Sequence, residues 1–167
     1  MSVNSFESKC QTYSNKKLFG ICDDPSPAKN PAYIDEKNGV KWIAIVVNEY
    51  LYETTFTAID NCIDIEREDG KQAKRCDGVL THDTTVIFIE LKQRGGGRKW
   101  VRDGEEQLRV TISYFEKSDA AENYTTKRAY IANSEHPKFR SAQAIRMQKF
   151  LDDTGYILRI ENRIILD

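Results

Sequence analysis

The run Val86-Ile87-Phe88-Ile89 is apolar at every position, as expected of a strand buried on both faces. Before it stand Lys74-Arg75-Cys76-Asp77-Gly78-Val79-Leu80 and the polar stretch Thr81-His82-Asp83-Thr84-Thr85; Glu90-Leu91-Lys92 closes it. β-Branched and aromatic residues on both sides of turn formers predict a hairpin. With Asp83-Thr84 at the tip, His82 pairs with Thr85, and counting outward sets Asp77 opposite Glu90 and Arg75 opposite Lys92. Side chains alternate faces along a strand, so Glu90 and Lys92 project together and Asp77 joins them from across the ladder.

The same pattern predicts strands from Lys41 through Val47 and over 54–65. A turn at Glu68-Asp69-Gly70-Lys71 folds the second of these onto 74–80, setting Asp64 opposite Arg75 and Cys62 opposite Asp77. In that register Asp60 and Asp64 share the face of Asp77. Either is a further metal ligand or a supporting acid, although an ion pair of Asp64 with Arg75 is the commoner outcome.

Helical periodicity begins after residue 102. Asp103 stands as N-cap with Glu106 in the capping-box position, Leu108, Ile112 and Phe115 form an apolar stripe, and Gln107, Thr111 and Tyr114 form a neighbouring polar face. A strand is expected over 127–133. A second helix is expected from Ser134, with Pro137 in its first turn, Phe139, Ala142, Ile145, Phe150 and Leu151 inward, and Gly155 as its stop. The chain closes with apolar runs over 156–160 and 164–166 around Glu161-Asn162, a terminal hairpin. Residues 1–39 hold all but one of the four prolines and read as an irregular or partly helical lead-in to a domain over 40–167. The fold class is α/β: a single domain with a mixed central sheet flanked by helices.

A chain of 167 residues with 40% hydrophobic content can bury a core without further staples. Its net charge of -1 supplies no bulk attraction to a polyanion, so nucleic-acid binding requires a local patch. One candidate is Gln93-Arg94-Gly95-Gly96-Gly97-Arg98-Lys99-Trp100-Val101-Arg102, a glycine-rich loop. Arg94, Arg98, Lys99 and Arg102 suit phosphates there, and Trp100 suits a stacked base. The bland alternative is a solvated surface loop. Cys10, Cys22, Cys62 and Cys76 show no CxxC pairing and read as buried reduced thiols. With no membrane-spanning run, and no basic and apolar signal segment at the start, the expectation is a cytoplasmic protein with no membrane partner.

Two carboxylates at the end of a buried run repel each other, and a hard divalent cation relieves that repulsion. Asp77 followed by Glu90-Leu91-Lys92 on the next strand resembles the PD-(D/E)XK nuclease superfamily, with Cys76 where a proline often precedes the aspartate. The resemblance implies a restriction-endonuclease-like fold with a strand-strand-strand-helix-strand core. It implies a nuclease in which Asp77, Glu90 and the Leu91 carbonyl hold Mg²⁺ or Mn²⁺. Lys92 would orient water or stabilise developing charge, and Gln107 would face the site from its helix. The expected partner is nucleic acid, DNA in the first instance, with a homodimer or protein partner supplying specificity. The competing reading is a non-catalytic binding protein in which Asp77, Glu90 and Lys92 form a salt-bridge cluster.

Overall fold

The computed structural model describes residues 8–93, 97, 99–136 and 143–167. These build a mixed α/β protein with two sheets rather than the single central sheet expected. The larger sheet has the strand order β1 (Gln11–Ser14), β5 (Thr54–Ala58), β6 (Gly78–His82), β7 (Thr85–Lys92), β8 (Thr126–Asn133) and β9 (Ile157–Arg159). The smaller has the order β10 (Arg163–Ile165), β4 (Ala44–Val47), β2 (Leu18–Cys22) and β3 (Tyr33–Asp35).

The β6–β7 hairpin has the register read from the sequence: His82 pairs with Thr85, and Gly78 pairs with Ile89. Asp83 sits at its tip in the left-handed region, with φ of 46°, which an aspartate tolerates. β7 is buried along its whole length except at Lys92, because β6 and β8 flank it and α1 (Lys99–Glu116) covers a face. From β7 the chain crosses through α1 and returns as β8, parallel to β7. Phe88 and Phe115 meet edge to face at 5.1 Å between centroids, fastening the helix to the sheet.

From residue 8 on, the lead-in carries three strands between irregular stretches. β1 pairs with β5 and covers that edge of the larger sheet, while β2 and β3 join β4 in the smaller one. Phe19, Ile21 and Val46 of the small sheet belong to the same buried cluster as Phe56, Leu80 and Phe88 of the large one, so both sheets share a core. These short segments lack a long periodic pattern, and burial against strands distant in sequence is what makes them extended.

The predicted strand over 54–65 ends at Ala58. Ile63 N–H and Cys62 N–H both turn back to the Ile59 carbonyl, with Asn61 left-handed at φ 62°. The ladder then runs Ala58 to Gly78, which replaces the expected pairing of Cys62 with Asp77. Gly78 is required there by close approach: a Cβ on it would lie 2.2 Å from Phe56 Cζ and 2.7 Å from the Thr57 carbonyl oxygen.

Two further expectations change. α1 begins at Lys99, so Asp103 lies inside the helix rather than capping it; buried Trp100, Val101 and Gly104 extend the apolar stripe by a turn. The terminal segments form no hairpin, since β9 adds parallel to β8 in one sheet and β10 adds parallel to β4 in the other. Ser134 and Glu135 form a turn, and the second described helix, α2, spans Ala144–Thr154 and stops at Gly155 with φ 79°. Pro137, Phe139 and Ala142 lie outside the described residues. Phe150 is buried as expected, whereas Ile145 is 84% exposed and Leu151 is partly exposed. The helix packs through one narrow face, and Ile145 lies about 140° around the axis from Phe150.

Cys10 and Cys62 are joined by a disulfide, so the expectation of four reduced thiols holds only for Cys22 and Cys76, which are free and buried. The partners are 52 residues apart in the chain, and β1 against β5 brings them together. Such bonds form and persist mainly in oxidising compartments, so this one does not favour the cytoplasmic location expected. Among the described residues no helix is long and apolar enough to cross a membrane.

Candidate active site

Asp77 stands one residue before β6, directly beyond the Gly78–Ile89 pair, and therefore faces Glu90 across the ladder. The Asp77 carbonyl accepts from Ile59 N–H at 2.9 Å, and the Cys76 carbonyl accepts from Asp60 N–H at 3.2 Å. On the other side the Leu91 amide donates to Asp77 Oδ2 at 2.6 Å. The carboxylate thus takes a place in the sheet that a backbone carbonyl would otherwise fill.

Glu90 is 2% exposed. Its Oε1 lies 2.9 Å from Lys92 Nζ, while its Oε2 is buried and has no hydrogen-bond partner. Lys92 Nζ also donates to Gln107 Oε1 at 2.9 Å, and Gln107 Nε2 donates to the Arg75 carbonyl at 3.1 Å. Gln107 therefore ties α1 to β7 and to the segment that leads into β6. One turn further, Thr111 Oγ1 accepts from Cys76 N–H and donates to the Gln107 carbonyl, each at 2.9 Å. Expected on a polar face, Thr111 is wholly buried and holds the segment leading into Asp77. At Gly104 the helix comes close enough that a Cβ would stand 3.4 Å from Glu90 Cγ.

Burial dominates the electrostatics. It pushes the Asp77 carboxyl well above the usual carboxylate range, and the neighbouring Glu90 charge adds to the rise. Burial raises Glu90 to about 7, with Lys92 opposing the rise through its charge and hydrogen bond. The Asp60 charge adds to the rise at Glu90, and the Asp77 backbone N–H opposes it. Asp23, which follows β2, is raised to about 6 by burial and then by the charges of Asp60 and Asp24. Its charge also raises Asp77. Its position near the site was not foreseen, because Asp23-Asp24 carries only a turn signal along the chain.

Asp60 and Asp64 share Arg75, at 3.4 Å and 3.5 Å. The anticipated Asp64–Arg75 pair forms at an exposed position, whereas Asp60 lines a cleft of about 500 Å³ together with Arg75, Lys92 and Gln107. Lys74, Lys99 and Asp103 contribute to its walls. Among the described residues no group of three or more His, Cys, Asp or Glu side chains is arranged to hold a metal ion. Two carboxylates with one unpartnered buried oxygen suit a cation that also takes backbone or water ligands.

The basic stretch divides. Lys99 is exposed and reaches the cleft, and Arg102 is exposed beside Asp103 at 3.9 Å. Trp100 is 2% exposed and stacks on His136 at 5.8 Å, so it is a core residue and not a platform for a base. Its position in the helical stripe explains the difference: the side chain turns toward the sheet. Arg94 and Arg98 lie outside the described residues. Compared with known proteins, the chain matches no family model, no curated protein and no solved structure.

Proposed function

We propose that the protein is a metal-dependent nuclease that hydrolyses phosphodiester bonds of nucleic acid, with a restriction-endonuclease-like core. The observation that carries this reading is Glu90 Oε2, a buried carboxylate oxygen without a partner, set beside a second buried carboxyl on Asp77. A buried carboxylate with one oxygen unpartnered is costly, and a second acid beside it raises the cost unless a cation joins them. The order β5, β6, β7, α1, β8 agrees with the strand-strand-strand-helix-strand sequence that the resemblance implies, and this supports the reading.

Asp77 and Glu90, with the Leu91 carbonyl, would hold Mg²⁺ or Mn²⁺. Once bound, the ion would supply Lewis-acid chemistry, lowering the pKa of a water and neutralising phosphoryl charge. Lys92 has three N–H donors, two of them engaged by Glu90 and Gln107. The third is available to an incoming water or phosphoryl oxygen, and Gln107 fixes its direction. A charge held in place before the reaction costs no reorganisation during it. Gln107 is thus a positioning residue that acts through Lys92.

The test is Mg²⁺-dependent cleavage of single- and double-stranded DNA and RNA by purified wild-type protein and Glu90→Gln. Cleavage that needs the metal and is lost in Glu90→Gln is the expected result. Metal-independent cleavage, or equal cleavage by the variant, would overturn the assignment.

A further inference from the structure

Resting on that reading, we infer that the cleft takes a short single-stranded segment or frayed end of a nucleic acid, rather than the side of a continuous duplex. Depth is the first reason. Asp77 and Glu90 are 8% and 2% exposed, and the side chain of Lys92, which lines the cleft, is 10% exposed, so the reacting groups are recessed below the surface. A flexible strand can bend a phosphodiester down to that level. A duplex holds its phosphates on a stiff convex surface and must be deformed or opened to do the same, which costs free energy.

Charge is the second and independent reason. Of the cations at the cleft, Lys74 is 2.8 Å from Glu106, Arg75 pairs with Asp60 and Asp64, and Lys92 pairs with Glu90. Lys99, in the first turn of α1, makes no ion pair with an acid among the described residues. Asp64 and Glu106, both exposed, and the partly exposed Asp103 stand around this end of the molecule. They would oppose a long run of phosphates crossing the cleft. Duplex-binding proteins that neutralise about six to ten phosphates need an extended basic surface, and among the described residues the cleft provides for on the order of two or three. Lys99, on α1, and Lys74, on the segment before β6, both line the cleft and are the groups placed to meet the phosphates next to the scissile one.

The experiment uses labelled 20-nucleotide DNA and RNA strands, the matching blunt DNA duplex, and that duplex with a single-stranded overhang. Cleavage is followed in Mg²⁺ with wild-type protein. Binding is followed by fluorescence anisotropy against salt with Lys92→Met, in which hydrolysis is slowed. Cleavage confined to single strands and overhangs is expected, with a binding slope in log Kd against log salt of magnitude about 2 or less. Lys99→Ala should weaken single-strand binding about three- to tenfold and reduce that slope by about 0.7. Cutting inside the blunt duplex as fast as in the single strand, or a slope of about 5 or more, would overturn the inference and leave the nuclease assignment standing. Neither binding nor cleavage of any polymer would overturn the nuclease assignment, and this inference with it.

Discussion

The Leu91 amide donates to Asp77 Oδ2 at 2.6 Å, so an acid side chain, not a strand carbonyl, closes the sheet beside the buried Glu90. The contact explains how a buried carboxyl is tolerated there: the N–H lowers the cost that burial and Glu90 impose. Asp77→Asn keeps an oxygen for Leu91 while removing one of two repelling charges. We expect the variant to fold with an unchanged or higher melting temperature without metal, and to bind Mn²⁺ at least tenfold more weakly. Calorimetry and thermal melts measure both. Unchanged Mn²⁺ binding would remove Asp77 from the metal site.

Stability without metal should depend on pH with a sign set by the raised acids. Glu90 has a folded pKa of about 7 against an ordinary 4.5, and Asp23 one of about 6 against 3.8. Between those values the folded state holds protons that the unfolded state has released. The stability these groups contribute is therefore complete below the ordinary values and is lost as pH rises toward 7. The melting temperature in EDTA should fall from pH 5 to pH 8. Mn²⁺, which binds the ionised carboxylates, should stabilise more as pH rises. Glu90→Gln should flatten the EDTA profile; an equally steep profile in that variant would place the titration elsewhere.

Lys92 distinguishes an enzyme from a binding protein. As the cation at 2.9 Å from Glu90, it opposes the rise in the acid's pKa, so Lys92→Met should leave Glu90 protonated at neutral pH rather than charged and unpaired. If Lys92 acts on charge that develops in the transition state, kcat should fall by about a hundredfold or more while substrate affinity changes little. A variant that is less stable than wild type but cleaves equally fast would make Lys92 a strut between the strands.

The disulfide carries a stability prediction of its own. Closing a segment of 52 residues between Cys10 and Cys62 restricts the unfolded chain by about 4 kcal/mol on a loop-entropy argument. Reduction, or Cys10→Ser with Cys62→Ser, should lower the denaturation midpoint accordingly. Thiol titration of the unfolded, unreduced chain should find Cys22 and Cys76 alone. A midpoint indifferent to reductant would show that β1 holds its place on β5 without the bond.

What the sequence by itself determined is local in the chain. The two-residue turn at Asp83-Thr84 sets the register of β6 on β7, and alternation then brings Asp77, Glu90 and Lys92 together. The stripe of Leu108, Ile112 and Phe115 likewise needs only neighbours three and four residues away. The tertiary structure decided what depends on distant partners. It placed Asp23 and Asp60 near the acids, joined Cys10 to Cys62, turned Trp100 inward and sent β9 and β10 to different sheets. The turn at Ile59–Ile63 shows why: with it in place, β5 meets β6 three residues away from the register that counting across the turn at 68–71 had predicted. Pairing across a short turn is governed by a few adjacent torsions. Which sheet edge a separate strand meets is governed by burial summed over many long-range contacts, and no single stretch of chain contains that sum.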